Sequence, residues 1–109
     1  FLFNYFSFKS YKKVNIFVDT KVTTWRRDYL EVETPSQDYM EAILQANIAK
    51  IIPLLENPDI MELTINKVTL KKSENKESIY LEDTEQMVEE EGSMEIYYDE
   101  GESKCIADY

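Results

Sequence analysis

Histidine is absent from this chain, cysteine occurs once, glycine twice and proline three times. Without histidine there is no side chain that titrates unaided near neutral pH, no imidazole metal ligand, and no customary partner for a nucleophilic serine or cysteine. The single cysteine, Cys105, makes no internal disulfide, so nothing signals a secreted scaffold stapled by bridges. Its acidic neighbours raise a thiol pKa, which points to an ordinary thiol rather than a reactive one. Two glycines, Gly92 and Gly101, are too few for a loop that cradles phosphates, and they imply few tight turns at positive φ. No apolar run reaches the length that a bilayer core demands, so no membrane-spanning helix is expected. Cys/His metal spacing is missing, and Asp99-Glu100-Gly101-Glu102 lacks the alternation of a calcium loop. Carboxylates are plentiful, but a hydrolytic pair needs a deep cleft, which one thin layer barely offers. These absences argue against an enzyme, a cofactor and a dedicated metal site.

What is present is charge, unevenly placed. Residues 1–77 hold 11 Lys/Arg and 11 Asp/Glu, whereas residues 78–109 hold 11 Asp/Glu and one Lys, Lys104. The whole net charge of -10 therefore belongs to the last third. Such a segment has its own field; it favours basic partners and disfavours nucleic acid or an anionic membrane as a direct ligand. The 109 residues fit one domain, 1–109, and 43% hydrophobic content supports a folded core.

Along the chain, Val14, Ile16, Val18 and Val22 alternate in a β-branched run, and Leu30 and Val32 alternate after it. Both runs read as strands, joined as a hairpin with a turn in 23–28. Thr34-Pro35-Ser36-Gln37 opens a helix, with Thr34 or Ser36 as the cap. Met40, Leu44, Ile48, Ile51 and Leu55 then form one amphipathic stripe, which Pro53 ends or kinks near Ile52. Residues 60–71 read as a strand whose phase shifts near Asn66, at a bulge or a bend. Residues 78–81 and 94–98 read as two short strands flanking Asp83–Glu91, a short acidic helix or a solvated loop; from about residue 100 the chain reads as a tail. The expected fold is thus α+β: an antiparallel sheet, a ββαβ core plus one or two C-terminal strands, with one long helix packed on it. The aromatic start, Phe1-Leu-Phe-Asn-Tyr-Phe-Ser-Phe8, precedes Lys9, Lys12 and Lys13, the reverse of a signal peptide's order. It reads as a strand or docking segment covering the core, with a membrane or partner anchor as the alternative, and the missing initiator Met leaves room for an upstream piece.

Tyr29-Leu-Glu-Val-Glu-Thr34 followed by Ser36-Gln-Asp-Tyr-Met-Glu-Ala42 is similar to a pattern in the DpnD/PcfM-like small proteins of mobile elements. The resemblance spans residues 22–42. Pro35, the aromatic start and the acidic last third depart from it. It implies a ββαβ core and a home in a phage or plasmid, hence the cytoplasm of a bacterial host; it implies no site residue.

The acidic third offers the leading functional surface. Alternate residues of a strand lie roughly 6.5–7 Å apart on one face, near the spacing of successive phosphates. Glu95 and Asp99 flank Tyr97 in that way, and Glu89, Glu90, Glu91 and Glu100 add charge nearby. Tyrosine among carboxylates supplies contact area at low entropic cost. The expected function is a non-enzymatic, acidic protein that occupies the basic groove of a nucleic-acid-binding protein, a nucleic-acid mimic of anti-CRISPR-like type. Its first alternative is a small interaction module that binds through the Trp25 hairpin (Trp25, Arg26, Arg27) or the aromatic start, the acidic residues only solubilising. A small metal-dependent enzyme is the second.

Overall fold

The computed structural model describes residues 11–21, 25–81, 94–100 and 104–109. They build one antiparallel sheet of seven strands. Strands β1 (Lys12–Lys21) and β2 (Trp25–Thr34) pair along their whole length, from Lys12 against Thr34 to Lys21 against Trp25. β3 (Glu62–Ile65) pairs with β4 (Val68–Lys72), and β4 with β2. β5 (Ile79–Tyr80) joins β2 beyond the end of β4. β6 (Met94–Tyr98) lies on the far side of β1, and β7 (Cys105–Asp108) pairs with β6. The order is β3-β4-β2-β1-β6-β7.

The period of two decides what each strand buries. Val14, Ile16 and Val18, Leu30 and Val32, Val68 and Leu70, and Met94 and Ile96 share one buried face. The apolar stripe between β2 and β3 covers that face with Met40, Leu44, Ile48, Ile51, Leu54 and Leu55.

That stripe is not one long helix on a ββαβ core, and the expected fold is corrected here. It divides into α1 (Gln37–Ala46, ten residues), a 3-10 turn (Ile48–Ile51) and α2 (Ile52–Glu56, five residues), so the architecture is mostly sheet. Asn47 explains the break. Its side-chain Nδ2 donates to the Ile43 carbonyl at 2.8 Å, the acceptor a continuing helix would offer to the Asn47 amide. That amide turns instead to Leu44 at 3.3 Å, a three-residue closure that leads into the 3-10 turn. Pro53 then stands in the first turn of α2, where its missing N–H costs nothing; it starts a helix instead of ending one. Ser36, not Thr34, is the cap of α1: its Oγ accepts from the Tyr39 amide at 3.0 Å. The Thr34 hydroxyl, fully buried, donates to the Ser36 carbonyl at 2.9 Å.

The phase shift near Asn66 is a tight hairpin rather than a bulge. Asn66 and Lys67 have φ of 47° and 70°, the two positive values of a type I′ turn. The chain after residue 100 is not a tail throughout, since β7 pairs with β6 and buries Ile106 and Ala107. The aromatic start and the 83–91 segment lie outside the described residues. No described helix is long and apolar enough to cross a membrane.

Candidate functional site

β6 carries the predicted row. Met94 and Ile96 point into the core, which places Glu95, Tyr97 and Asp99 on the opposite face of the sheet. Their partners across β1 are Asp19 for Glu95 and Phe17 for Tyr97. The row is not a bare ladder of carboxylates. Tyr97 donates its hydroxyl to Glu95 at 2.9 Å, and Asp99 receives Lys76 at 2.6 Å. Phe17 stacks on Tyr97, centroids 5.3 Å apart, and meets Tyr29 edge-on at 6.0 Å. Lys76 also stands 4.9 Å over the Tyr29 ring. The face is therefore an aromatic strip, Tyr29–Phe17–Tyr97, bordered by charges of both signs.

Arg27 and Asp19 anchor it. Arg27 donates Nε and Nη2 to the two Asp19 oxygens at 2.8 and 3.0 Å, and its guanidinium lies 4.0 Å over Phe17. The Asp19 side chain is 2% exposed. Hydrogen bonding to that carboxylate holds the Arg27 guanidinium above its ordinary pKa, against the opposing effect of burial.

The β6–β7 hairpin gathers more acid than its own strands supply. Glu95 stands directly opposite Asp108. On the core side of the hairpin, Tyr98 donates its hydroxyl to Glu41 of α1, with Asp38 and Glu100 close enough to act on it. Gln45 of α1 donates to the Ile106 carbonyl at 2.9 Å, which fastens the helix against β7. Burial first, then the hydrogen bond to a carboxylate, holds both Tyr97 and Tyr98 above the usual phenol range. Burial, then Asp108 and Glu95, pushes the Cys105 thiol up. Burial is the leading cause for all three groups, and the neighbouring carboxylates add to it. Asp38 and Glu41 belong to this surface, and sequence reasoning missed them: they lie in the neutral first part of the chain, and only the packing of α1 on β7 brings them there. Glu100 is exposed beside them, and Glu89, Glu90 and Glu91 lie outside the described residues.

Trp25-Arg26-Arg27 does not act as one spot. The Trp25 side chain is 1% exposed, so it presents no ring face to a partner. Arg26 and Arg27, adjacent in β2, point to opposite faces. Arg26 donates to Asp28 at 2.9 Å and to the Leu55 carbonyl at 3.0 Å, tying β2 to the end of α2. Among the described residues, no three His, Cys, Asp or Glu side chains converge as a metal site requires. Comparison with family models, with curated proteins and with solved structures finds no match.

Proposed function

We propose that the protein is a non-enzymatic binding protein whose acidic end, the β6–β7 hairpin with the adjoining acids of α1, occupies the basic groove of a nucleic-acid-binding protein. In this reading it is an inhibitor carried by a phage or plasmid and acts in the host cytoplasm, with carboxylates taking the place of phosphates. The observation that supports it most is Glu95 directly across from Asp108, with Asp38, Glu41 and Glu100 on the other side of the same hairpin. Like charges directly opposed across strands cost stability, and folding alone does not call for them. Tyr97 and Tyr98 lie between these carboxylates, one on each face, as rigid contact area.

The experiment is a capture followed by a titration. The full chain is immobilised, a basic partner is recovered from the host and identified, and its binding is measured against competing duplex DNA. Competition supports the mimic. A variant with Glu95→Gln, Asp99→Asn, Glu100→Gln and Asp108→Asn, shown to be folded, should bind weakly and lose its salt dependence of association. Unaltered affinity and salt dependence in that variant would overturn the reading. The isolated protein should show no binding to duplex DNA at physiological salt.

A further inference from the structure

On the opposite flank of the sheet, β4 and β5 occupy successive stretches of β2 and leave a gap between them. A groove of about 490 Å³ opens there, floored by Arg26 and Leu55 and walled by Glu56, Pro58, Met61 and Tyr80. Met61 and Tyr80 are among the most exposed large apolar side chains of the described chain, at 59% and 73%. A recess of about 110 Å³ shares Arg26, Leu55 and Glu56 with the groove and reaches Thr20, whose buried hydroxyl has no hydrogen-bond partner.

The charges of this groove are unequally satisfied. Its cations are engaged: Arg26 with Asp28 and the Leu55 carbonyl, Lys72 with the Asn57 carbonyl at 2.9 Å, Lys76 with Asp99. Asp28 receives both Arg26 and the Ser78 hydroxyl. Glu56 and Glu77 have no ion pair or side-chain hydrogen bond among the described residues. The charges left without an ion pair are those of Glu56 and Glu77 against that of Lys72, a balance on the negative side, beside an apolar wall. A long cationic side chain satisfies both the carboxylates and the wall, since its stem is apolar and its head is a donor. Guanidinium suits the site further because it stacks on an aromatic face such as Tyr80.

We propose that this groove receives an arginine side chain from an extended basic segment of a partner protein, with its stem along Leu55, Met61 and Tyr80 and its head beside Glu56. The groove flanks β2 while the acidic hairpin lies beyond β1; Lys76 lines the groove and pairs with Asp99, but Glu56, Met61 and Tyr80 take no part in the reading of the hairpin.

The full chain is titrated with a hexapeptide alternating arginine and valine, and with its twin carrying neutral citrulline for arginine. Binding is followed by the Met61 methyl and Tyr80 ring resonances and by calorimetry. The arginine peptide should shift Met61 and Tyr80, and the citrulline peptide should bind more weakly. Glu56→Gln should weaken the arginine peptide about threefold, the factor an exposed ion pair supplies, and leave the citrulline peptide unaffected. Tyr80→Ala, at an exposed site, should weaken both. Shifts confined to residues 94–109 would overturn the groove and leave the hairpin reading standing. Equal binding of the two peptides, or indifference to both substitutions, would also overturn it. Absence of any binding would overturn the groove as well.

Discussion

Removing Arg27 while leaving Asp19 in place should be among the most damaging single substitutions on the outer face of the sheet. The Asp19 carboxylate is 2% exposed and takes two hydrogen bonds from one guanidinium, at 2.8 and 3.0 Å. Arg27→Ala strands that carboxylate away from water and also uncovers Phe17, which the guanidinium overlies at 4.0 Å. Breaking a buried pair by deleting one partner costs about 3–5 kcal/mol. That is a large share of the stability of any small domain. The reverse change is milder, because the Arg27 side chain is 22% exposed and its charge can turn to solvent while its stem stays on Phe17. Asp19→Ala should therefore cost roughly 1–3 kcal/mol. Replacing both, as Asp19→Leu with Arg27→Met, should return stability to within about 1 kcal/mol of the natural chain or above it, since a well-packed apolar pair often equals a buried ion pair. Urea unfolding followed by the fluorescence of Trp25, the one tryptophan and fully packed, supplies the assay. With a slope of about 1.5 kcal/mol per molar, Arg27→Ala should lower the midpoint by about 2–3 M. A loss below about 1 kcal/mol at unchanged slope would show that Asp19 reaches water or a second donor, and the reasoning would fail.

Other substitutions probe other parts of the molecule. Leu44→Ala, at a fully buried site where α1 meets the sheet, should cost about 2–5 kcal/mol in the same urea assay, and an unchanged midpoint would contradict its place in the core. Lys67→Gly should stabilise by up to about 1 kcal/mol, because a residue with Cβ is held at φ 70° in the β3–β4 turn; a lower melting temperature would refute the turn type. Cys105, raised by burial, Asp108 and Glu95, carries less thiolate at pH 8 than an unfolded cysteine, so iodoacetamide should modify the native chain more slowly than the urea-unfolded one. Glu95→Gln with Asp108→Asn should speed that reaction, and equal rates before and after would deny the negative field at the hairpin.

The sequence was most legible where one face of a strand is buried and the other is not. Val14-Ile16-Val18, Leu30-Val32 and Met94-Ile96 alternate because the core takes every second residue, and all three became strands at those positions. The helix failed for a local reason: Met40, Leu44, Ile48, Ile51 and Leu55 keep their spacing across a break that depends on a single Asn47 side chain. Spacing reports which residues are buried, and a 3-10 turn buries Ile48 and Ile51 as well as an α-turn does. β7 was missed because four residues, Cys-Ile-Ala-Asp, hold too little pattern inside an acidic stretch. In the candidate site, Glu95, Tyr97 and Asp99 share a face as strand geometry requires. Their engagement by Lys76, and the recruitment of Glu41 to Tyr98 across 57 positions, have no local signal. The same holds for the groove, whose lining comes from β2, α2, the segment before β3 and β5.

The two surfaces differ in what the fold spends on them. Around the groove Arg26, Asp28 and Lys76 are ion-paired, so a partner there gains from the charges that are not. At the hairpin the fold tolerates Glu95 against Asp108 and Glu100 near Asp38 and Glu41 around Tyr98. Each like-charged neighbour opposes folding by some tenths of a kcal/mol at an exposed position. A chain that needed only solubility reaches the same net charge with its acids dispersed. Concentrating them at one end of the sheet instead builds a field that extends about a Debye length, near 8 Å at physiological salt, into solvent. Such a field acts on encounter before contact, whereas a groove acts only after it. A partner rich in arginine would then be drawn by the hairpin and could be held by the groove, so salt would govern how fast it arrives while Glu56 and Tyr80 govern how long it stays.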